Sequence, residues 1–138
     1  MPDVPWKLKR EELVWRGVTT GDGLRRRYVH VLSKNHNVRF NGVVQHHVDW
    51  ITSPEHRGKL LSQKEILHYK YVLSLPGNDV ATNLKWLMMQ KSVIVMPIPR
   101  VEGWLMEGLL KPYIHFVPLD DPEKVDSVIE WMRTHDNV

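Results

Sequence analysis

Apolar residues in the middle of the chain follow a strand pattern, then a helical pattern, and then a strand pattern again. Residues 71–75 form a short apolar run rich in residues that favour strands, and the turn residues Pro76, Gly77 and Asn78 follow it. Residues 93–95 show no polar alternation, which is typical of a strand buried on both faces of a parallel sheet. Between these runs, one helical face is marked by Val80, Leu84, Leu87 and Met88. The stretch therefore predicts a βαβ unit.

A similar succession occurs near the N-terminus. Residues 13–15 are a short apolar run, and the loop that follows, residues 17–23, contains glycines and threonines. Residues 38–44 read as a second strand. The helix between them is predicted from apolar side chains at helical spacing: Leu24, Tyr28, Val31 and Leu32.

The C-terminal third continues the alternation. Pro97 and Pro99 end the strand before them, and residues 101–110 are compatible with a short helix that has Glu102 in its first turn. Residues 114–118 read as a further strand. A final helix is predicted from the possible caps Asp120 and Asp121, from Pro122 at the first helical position, and from the apolar face of Val125, Val128, Ile129 and Met132.

About five strands alternating with about five helices predict an α/β fold, a three-layer Rossmann-like domain with a mostly parallel sheet. All 138 residues are expected to form this one domain, with residues 1–10 as a charged, loosely ordered lead-in. Right-handed crossovers place the loops after the strands along one edge of the sheet. Free N–H groups at the helix starts on that edge suit a phosphate.

Composition narrows the class of ligand and excludes several classes of protein. The formal charge is +3 and the sequence pI about 9.2, and the basic residues are dispersed, which favours an anionic ligand and disfavours a nucleic-acid-binding stripe. There is no cysteine, and no run of about 18 apolar residues or signal-peptide pattern, so a cytoplasmic location without a membrane span is expected. The motifs GxxxxGK[ST] and GxGxxG are absent, which disfavours an NTPase or a dinucleotide dehydrogenase.

Three arginines, Arg25, Arg26 and Arg27, fall in the first turn of the predicted N-terminal helix. Cations at that position oppose the helix dipole, so a bound anion could offset them. The alternative is a solvated charged turn in which one arginine pairs with Glu11 or Glu12.

A second group of polar residues lies in a predicted surface loop at residues 45–61. It holds His46, His47, Asp49 and His56, which could suit a metal-dependent hydrolase. The adjacent histidines would point to opposite sides of a strand, and the HExxH motif is absent. Solvated histidines are therefore the favoured interpretation.

Six stretches, taken in order, resemble the C-terminal part of glycosyltransferase family 90, which includes capsule-associated proteins and protein O-glucosyl- and O-xylosyltransferases. They are VWRG at 14–17, KYVLSLPGND at 70–79, LKW at 84–86, SVIVMP at 92–97, EGW at 102–104 and LKPYIHFVPL at 110–119. The resemblance implies the C-terminal half of a GT-B enzyme of capsule or glycan biosynthesis. It further implies a UDP-sugar donor such as UDP-glucose or UDP-xylose, a hydroxyl acceptor on a glycan or protein, inversion, and no cofactor or metal.

The resemblance also implies donor-binding positions. Arg26 or Arg27 would contact the diphosphate, and Glu102 could accept hydrogen bonds from the ribose. Asn83 stands where relatives carry an arginine, a departure that weakens this contact or moves it to Lys85. The full predicted UDP-sugar set is Gly17, Thr19, Arg26, Arg27, Asn78, Asn83, Lys85 and Glu102.

No catalytic base is assigned, because in inverting members of the family it is an Asp of the N-terminal half. The candidate carboxylates of this chain, Asp49, Glu102 and Asp120, belong to the donor half. The chain is therefore expected to bind donor but to need an N-terminal half or a partner chain for transfer. A non-enzymatic nucleotide-binding domain remains the alternative.

Overall fold

The computed structural model describes residues 3–19, 23–42, 54–75, 91–97 and 116–135. Within these ranges five strands form one sheet: β1 Arg10–Val18, β2 Asn37–Gly42, β3 Tyr69–Leu73, β4 Val93–Met96 and β5 Val117–Pro118. All neighbouring pairs are parallel, and the order is β2-β1-β3-β4-β5. The helices are α1 Leu24–Leu32, α2 Gln63–Ile66 and α3 Val125–Thr134. The predicted α/β fold with a parallel sheet is confirmed.

Apolar side chains pack on both faces of the sheet. In β1, Leu13 and Trp15 point to the face covered by α1 and α3, whereas Val14 points to the opposite face. The opposite cluster comprises Val14, Val72, Ile94, Met96 and Phe116, with Leu61, Ile66 and Tyr69 packed against it. Because both faces are covered, the central strands can be apolar throughout, which is the pattern that the sequence shows.

The element boundaries differ from those predicted by the apolar pattern. β1 begins at Arg10 rather than at residue 13, and β3 begins at Tyr69 rather than at residue 71, because ladder hydrogen bonds do not require apolar side chains. The short helix α2 was not predicted; it begins with a capping box in which Ser62 and Glu65 exchange hydrogen bonds. The predicted helices at 80–88 and 101–110 lie outside the described residues. Among the described helices, none is long and apolar enough to cross a membrane.

Residues 3–9 of the charged lead-in are bound to the amino end of the sheet. The Lys9 side chain is fully buried and donates to Asp3 Oδ1 at 2.7 Å, to Ser92 Oγ at 2.9 Å and to the Leu67 carbonyl at 2.5 Å. Asp3 also accepts the backbone N–H of Lys91 at 2.6 Å. Burying an ammonium group is tolerable because all these acceptors replace its water.

His56 is buried, so the interpretation that it is a solvated loop histidine is wrong. It ends a 3-10 turn, Pro54–His56, and its ring stacks on that of His30 in α1, with centroids 4.0 Å apart and planes inclined by 19°. Burial lowers the pKa of His56, His30 and Lys34 lower it further, and Glu55 acts in the opposite direction. The described residues contain no group of three metal-ligating side chains, and His46, His47 and Asp49 lie outside them.

The histidine stack predicts a loss of stability in mild acid. Folding keeps His56 neutral, whereas in the unfolded chain it takes up a proton near pH 6.5, so its contribution is present above about pH 6.5 and is lost as the pH falls. We expect the free energy of unfolding in urea to fall between about pH 7.5 and 5.5 and the fall to be smaller in His56→Phe. His68→Gln, at an exposed histidine, is the control and should behave like the wild type. The same pH dependence in wild type and His56→Phe would contradict the assignment.

Candidate functional site

The strand order places a topological switch between β1 and β3. From β1 the chain goes to β2 on one side, whereas β3, β4 and β5 extend the sheet on the other side. In doubly wound sheets of this kind, a crevice for ligands opens outside the carboxyl ends of the strands at the switch. In this chain those ends are Val18 of β1 and Leu73 of β3.

The side chain of Arg25 spans the switch. Its Nη1 donates to the Val18 carbonyl at 2.9 Å, and its Nη2 donates to the Leu75 carbonyl at 3.0 Å. The guanidinium also lies over the indole of Trp15, with Cζ 5.4 Å from the ring centroid. Burial lowers the pKa of Arg25, but a guanidinium group keeps its proton in proteins. A half-buried positive charge is therefore held where the ends of the two strands meet.

Helix α1 begins beside the carboxyl ends of β1 and β3, since Arg25 in its first turn donates to the Val18 and Leu75 carbonyls. Gly23 precedes it with φ of 105°, in the left-handed region that glycine adopts without steric cost. The helix start has no side-chain cap and no acidic residue in its first turn. Its first N–H groups and its arginines therefore make the carboxyl edge of β1 electropositive.

Gly17 gives the indole of Trp15 the room to reach Arg25. The two residues lie on the same face of β1, and a Cβ built on Gly17 would be 2.4 Å from Cζ2 and 2.8 Å from Cη2 of the indole. Phe40 of β2 packs edge-on against the same indole, with centroids 5.9 Å apart and planes at 77°. The role that the structure gives Gly17 is thus to accommodate a buried ring beneath the crevice.

The other described residues of the predicted donor set lie around the same edge. Thr19 is fully buried directly after β1, whereas Arg26 and Arg27 are exposed on α1. Arg27 Nη2 lies 3.3 Å from Asp121 Oδ1. Four members of the set lie outside the described residues: Asn78, Asn83, Lys85 and Glu102.

The expectation that an arginine of α1 pairs with Glu11 or Glu12 is not met by the pairs that the structure shows. Glu11 pairs with Lys70 at 3.6 Å and with Arg133 at 3.2 Å, and Glu12 lies 3.7 Å from Arg10. The reason is geometric, because these glutamates lie at the start of β1 and the first turn of α1 lies at its end.

Two contacts tie α1 to the end of β5. The hydroxyl of the buried Tyr28 donates to the Leu119 carbonyl at 2.5 Å, and the Arg27–Asp121 ion pair lies next to it. Asp121 also accepts the Glu123 N–H at 3.1 Å and so caps the 3-10 turn before α3. The loop after β5, with the exposed Asp120, is therefore fixed beside the start of α1.

Arg25 is a site residue that the family motifs do not indicate, since they select Arg26 and Arg27. The spacing of the apolar residues along α1, however, does indicate Arg25. Val29 and Leu32, four and seven positions after Arg25, are fully buried, so Arg25 lies on the helix face that meets the sheet. An arginine on a buried face must find hydrogen-bond acceptors, which predicts a fixed cation.

A cleft of about 340 Å³ lies at the amino end of the sheet. Its lining is Glu11, Glu12, Asn35, His36, Asn37, Asp126, Ile129, Glu130 and Arg133. Four carboxylates against one arginine disfavour a phosphorylated ligand there. The anion site is therefore best placed at the carboxyl edge.

Comparison with known proteins gives a match over almost the whole chain. The family model for Glycosyl transferase family 90 matches residues 2–138. The chain is also similar to the O-glucosyltransferase LpsA of Dichelobacter nodosus, with 41% identity over 130 residues. That match covers 87% of this chain and 36% of LpsA, so the chain spans about a third of the length of this relative.

Two viral proteins show a shorter similarity. The uncharacterized protein 027R of Frog virus 3 (isolate Goorha) is 35% identical over 83 residues, which are 56% of this chain and 9% of the viral protein. The uncharacterized protein 179R of Invertebrate iridescent virus 6 is 32% identical over 83 residues, which are 55% of this chain and 7% of the viral protein.

The contact between Gly17 and Trp15 predicts unequal costs for two glycine-to-alanine changes. In Gly17→Ala the new methyl group meets a buried indole that cannot move freely, so we expect a loss of about 1–3 kcal/mol in the free energy of unfolding. Gly42→Ala is the matched control, because its methyl group meets one close atom, Cγ1 of the exposed Val18 at 2.9 Å, which can turn away. Urea unfolding of both variants measures the difference. Equal costs would show that the indole is not held against Gly17.

Proposed function

This chain belongs to glycosyl transferase family 90, and we propose that it binds the UDP-sugar donor of a reaction that glycosylates a hydroxyl of a glycan or protein. The observation that carries this proposal is the Arg25 guanidinium fixed across the carboxyl ends of β1 and β3. A diphosphate is the part of the donor that such a charge would recognise. The similarity to an O-glucosyltransferase makes UDP-glucose the first donor to test, with UDP-xylose as the second.

The proposed reaction makes clear what a cation at this edge would do. In an inverting transfer the acceptor oxygen forms a bond to the anomeric carbon while the bond from that carbon to the diphosphate oxygen breaks. Negative charge then develops on the departing UDP, and cations already placed beside it stabilise the transition state. Arg25, with Arg26 or Arg27, would supply that charge, and the proposal requires no metal.

The catalytic base and the acceptor site are proposed to come from outside these residues. The acceptor hydroxyl must lose its proton to a base within hydrogen-bond reach, and the acceptor must be held against the anomeric carbon. The chain spans 36% of LpsA, which leaves most of that relative's length without a counterpart in these 138 residues. We therefore propose that an N-terminal half or a partner chain contributes the base and the acceptor site, and that this chain alone binds donor with little transfer.

A series of uridine compounds tests the donor site directly. If the arginines at the start of α1 meet a diphosphate, UDP should bind about ten- to a hundredfold more tightly than uridine, with UMP between them. Isothermal titration of the 138-residue chain with each compound measures the three dissociation constants. UDP-glucose and UDP-xylose are then compared with UDP itself. Equal affinities for UDP, UMP and uridine would remove the diphosphate from the proposal.

Replacing the two exposed arginines separately shows which of them contacts the diphosphate. In Arg26→Ala or Arg27→Ala, the loss of a charged hydrogen bond should weaken UDP binding by about 1.5–3 kcal/mol, with little change in melting temperature because both residues are exposed. Arg10→Ala is the control, since it removes the same charge at the amino end of β1. If both variants keep the wild-type UDP affinity, neither arginine belongs to the donor site.

A further inference from the structure

We propose that Trp15 is a positioning residue: its indole fixes the Arg25 guanidinium at the switch between β1 and β3 and thereby sets the preference of the crevice for a diphosphate over an uncharged nucleoside. This role rests on the proposed function, and it is assigned to a buried residue that would act through Arg25. The Arg25 Cζ lies over the indole, 5.4 Å from the ring centroid.

The described contacts of Arg25 include hydrogen bonds and a contact with an aromatic ring. An arginine side chain has several rotatable bonds, and fixing it costs conformational entropy that its contacts must offset. The two carbonyls, of Val18 and Leu75, hold the N–H edge of the guanidinium, but they leave it able to tilt. The indole lies against the guanidinium carbon, within the range of about 6 Å at which cation–π attraction acts. Together, these described contacts restrict the position of the group more than the hydrogen bonds would alone.

The indole is itself fixed by its neighbours. Trp15 is 4% exposed, Phe40 packs edge-on against its indole, and the ring lies so close to Gly17 that a Cβ there would overlap it. Because the indole cannot move freely, it also restricts the motion of the Arg25 guanidinium that lies over it. Trp15 therefore connects the packed core to the charge at the edge of the sheet.

The contact with the indole also changes how the guanidinium interacts with an anion. The ring replaces water on the side of the group that it meets, and a cation with less water around it interacts more strongly with a nearby phosphate oxygen. The hydrogen bonds to Val18 and Leu75 show that the N–H groups are directed to the ends of the two strands. A charge held in place before binding gives more affinity than one that must be ordered on binding. Trp15 thus contributes to selectivity for diphosphate through Arg25.

The experiment compares ligand selectivity rather than stability. Trp15→Leu removes the ring, Trp15→Phe keeps a smaller one, and Leu32→Ala is the control for truncation in the same apolar cluster, away from the contacts described for Arg25. For each folded variant of the 138-residue chain, titration calorimetry gives the ratio of the dissociation constants for uridine and UDP. We expect Trp15→Leu to lower this ratio by roughly three- to tenfold, Trp15→Phe to retain most of it, and Leu32→Ala to leave it unchanged.

Two further measurements separate positioning from general loss of structure. In the Arg25→Ala background, Trp15→Leu should change the ratio no further, because the residue through which it acts is gone. In nitrogen–proton correlation spectra, the Nε–H signal of Arg25, assigned by its loss in Arg25→Ala, should carry the ring-current shift of the indole and lose that shift in Trp15→Leu.

The outcomes distinguish the role of Trp15 from the proposed function. If wild type binds UDP and uridine equally, the proposed function fails and the role of Trp15 fails with it. If wild type prefers UDP but Trp15→Leu keeps the full ratio, or Leu32→Ala lowers it equally, only the role of Trp15 is overturned. An unchanged Arg25 signal in Trp15→Leu would overturn it as well.

Discussion

The parallel pairing of β1 on both sides is the constraint on which the rest of this structure depends. β2 is hydrogen-bonded to one edge of β1 and β3 to the other. The connection after β1 therefore runs to one side of this strand, and the connection after β2 crosses back to its other side. Among the described residues, apolar side chains cover both faces of the sheet, and a switch such as that between β1 and β3 is where ligand crevices open in doubly wound sheets. The described residues of the candidate site are all placed by this arrangement.

The fold was largely predictable because its signals are local. Alternation of apolar runs and helical faces indicated a parallel sheet, and the positions of α1 and of the C-terminal helix were close to those observed. The boundaries of β1 and β3 were harder to predict, since Arg10 pairs with Tyr69 through its backbone and the register shifts between Arg10 and Leu13. His56 was misjudged for a similar reason: its burial depends on His30, a residue distant in sequence, and no local pattern reports such a contact.

The site was predictable only in part, because a motif identifies residues while the fold decides what they touch. Gly17 was expected beside a nucleotide, yet the structure shows what it does for Trp15, which is to leave room for a ring on the same strand face. Arg25 was one of three arginines in sequence, and its hydrogen bonds to two strand ends, its contact with Trp15 and its partial burial distinguish it from Arg26 and Arg27. Its spacing to Val29 and Leu32 was the single local signal in the sequence.

The two ends of the sheet differ in charge, and this difference bears on how a donor could be oriented. The amino end has four carboxylates in its cleft and a lysine, Lys9, whose charge is met by buried acceptors. The carboxyl end has arginines on a helix whose first turn contains no acid. Under the proposed function, the diphosphate of the donor would be held at the second end, where the Val18 and Leu75 carbonyls fix Arg25. Because these contacts lie within the chain, the charge of Arg25 would be in place before the donor binds, which is the condition under which electrostatic stabilisation is most effective.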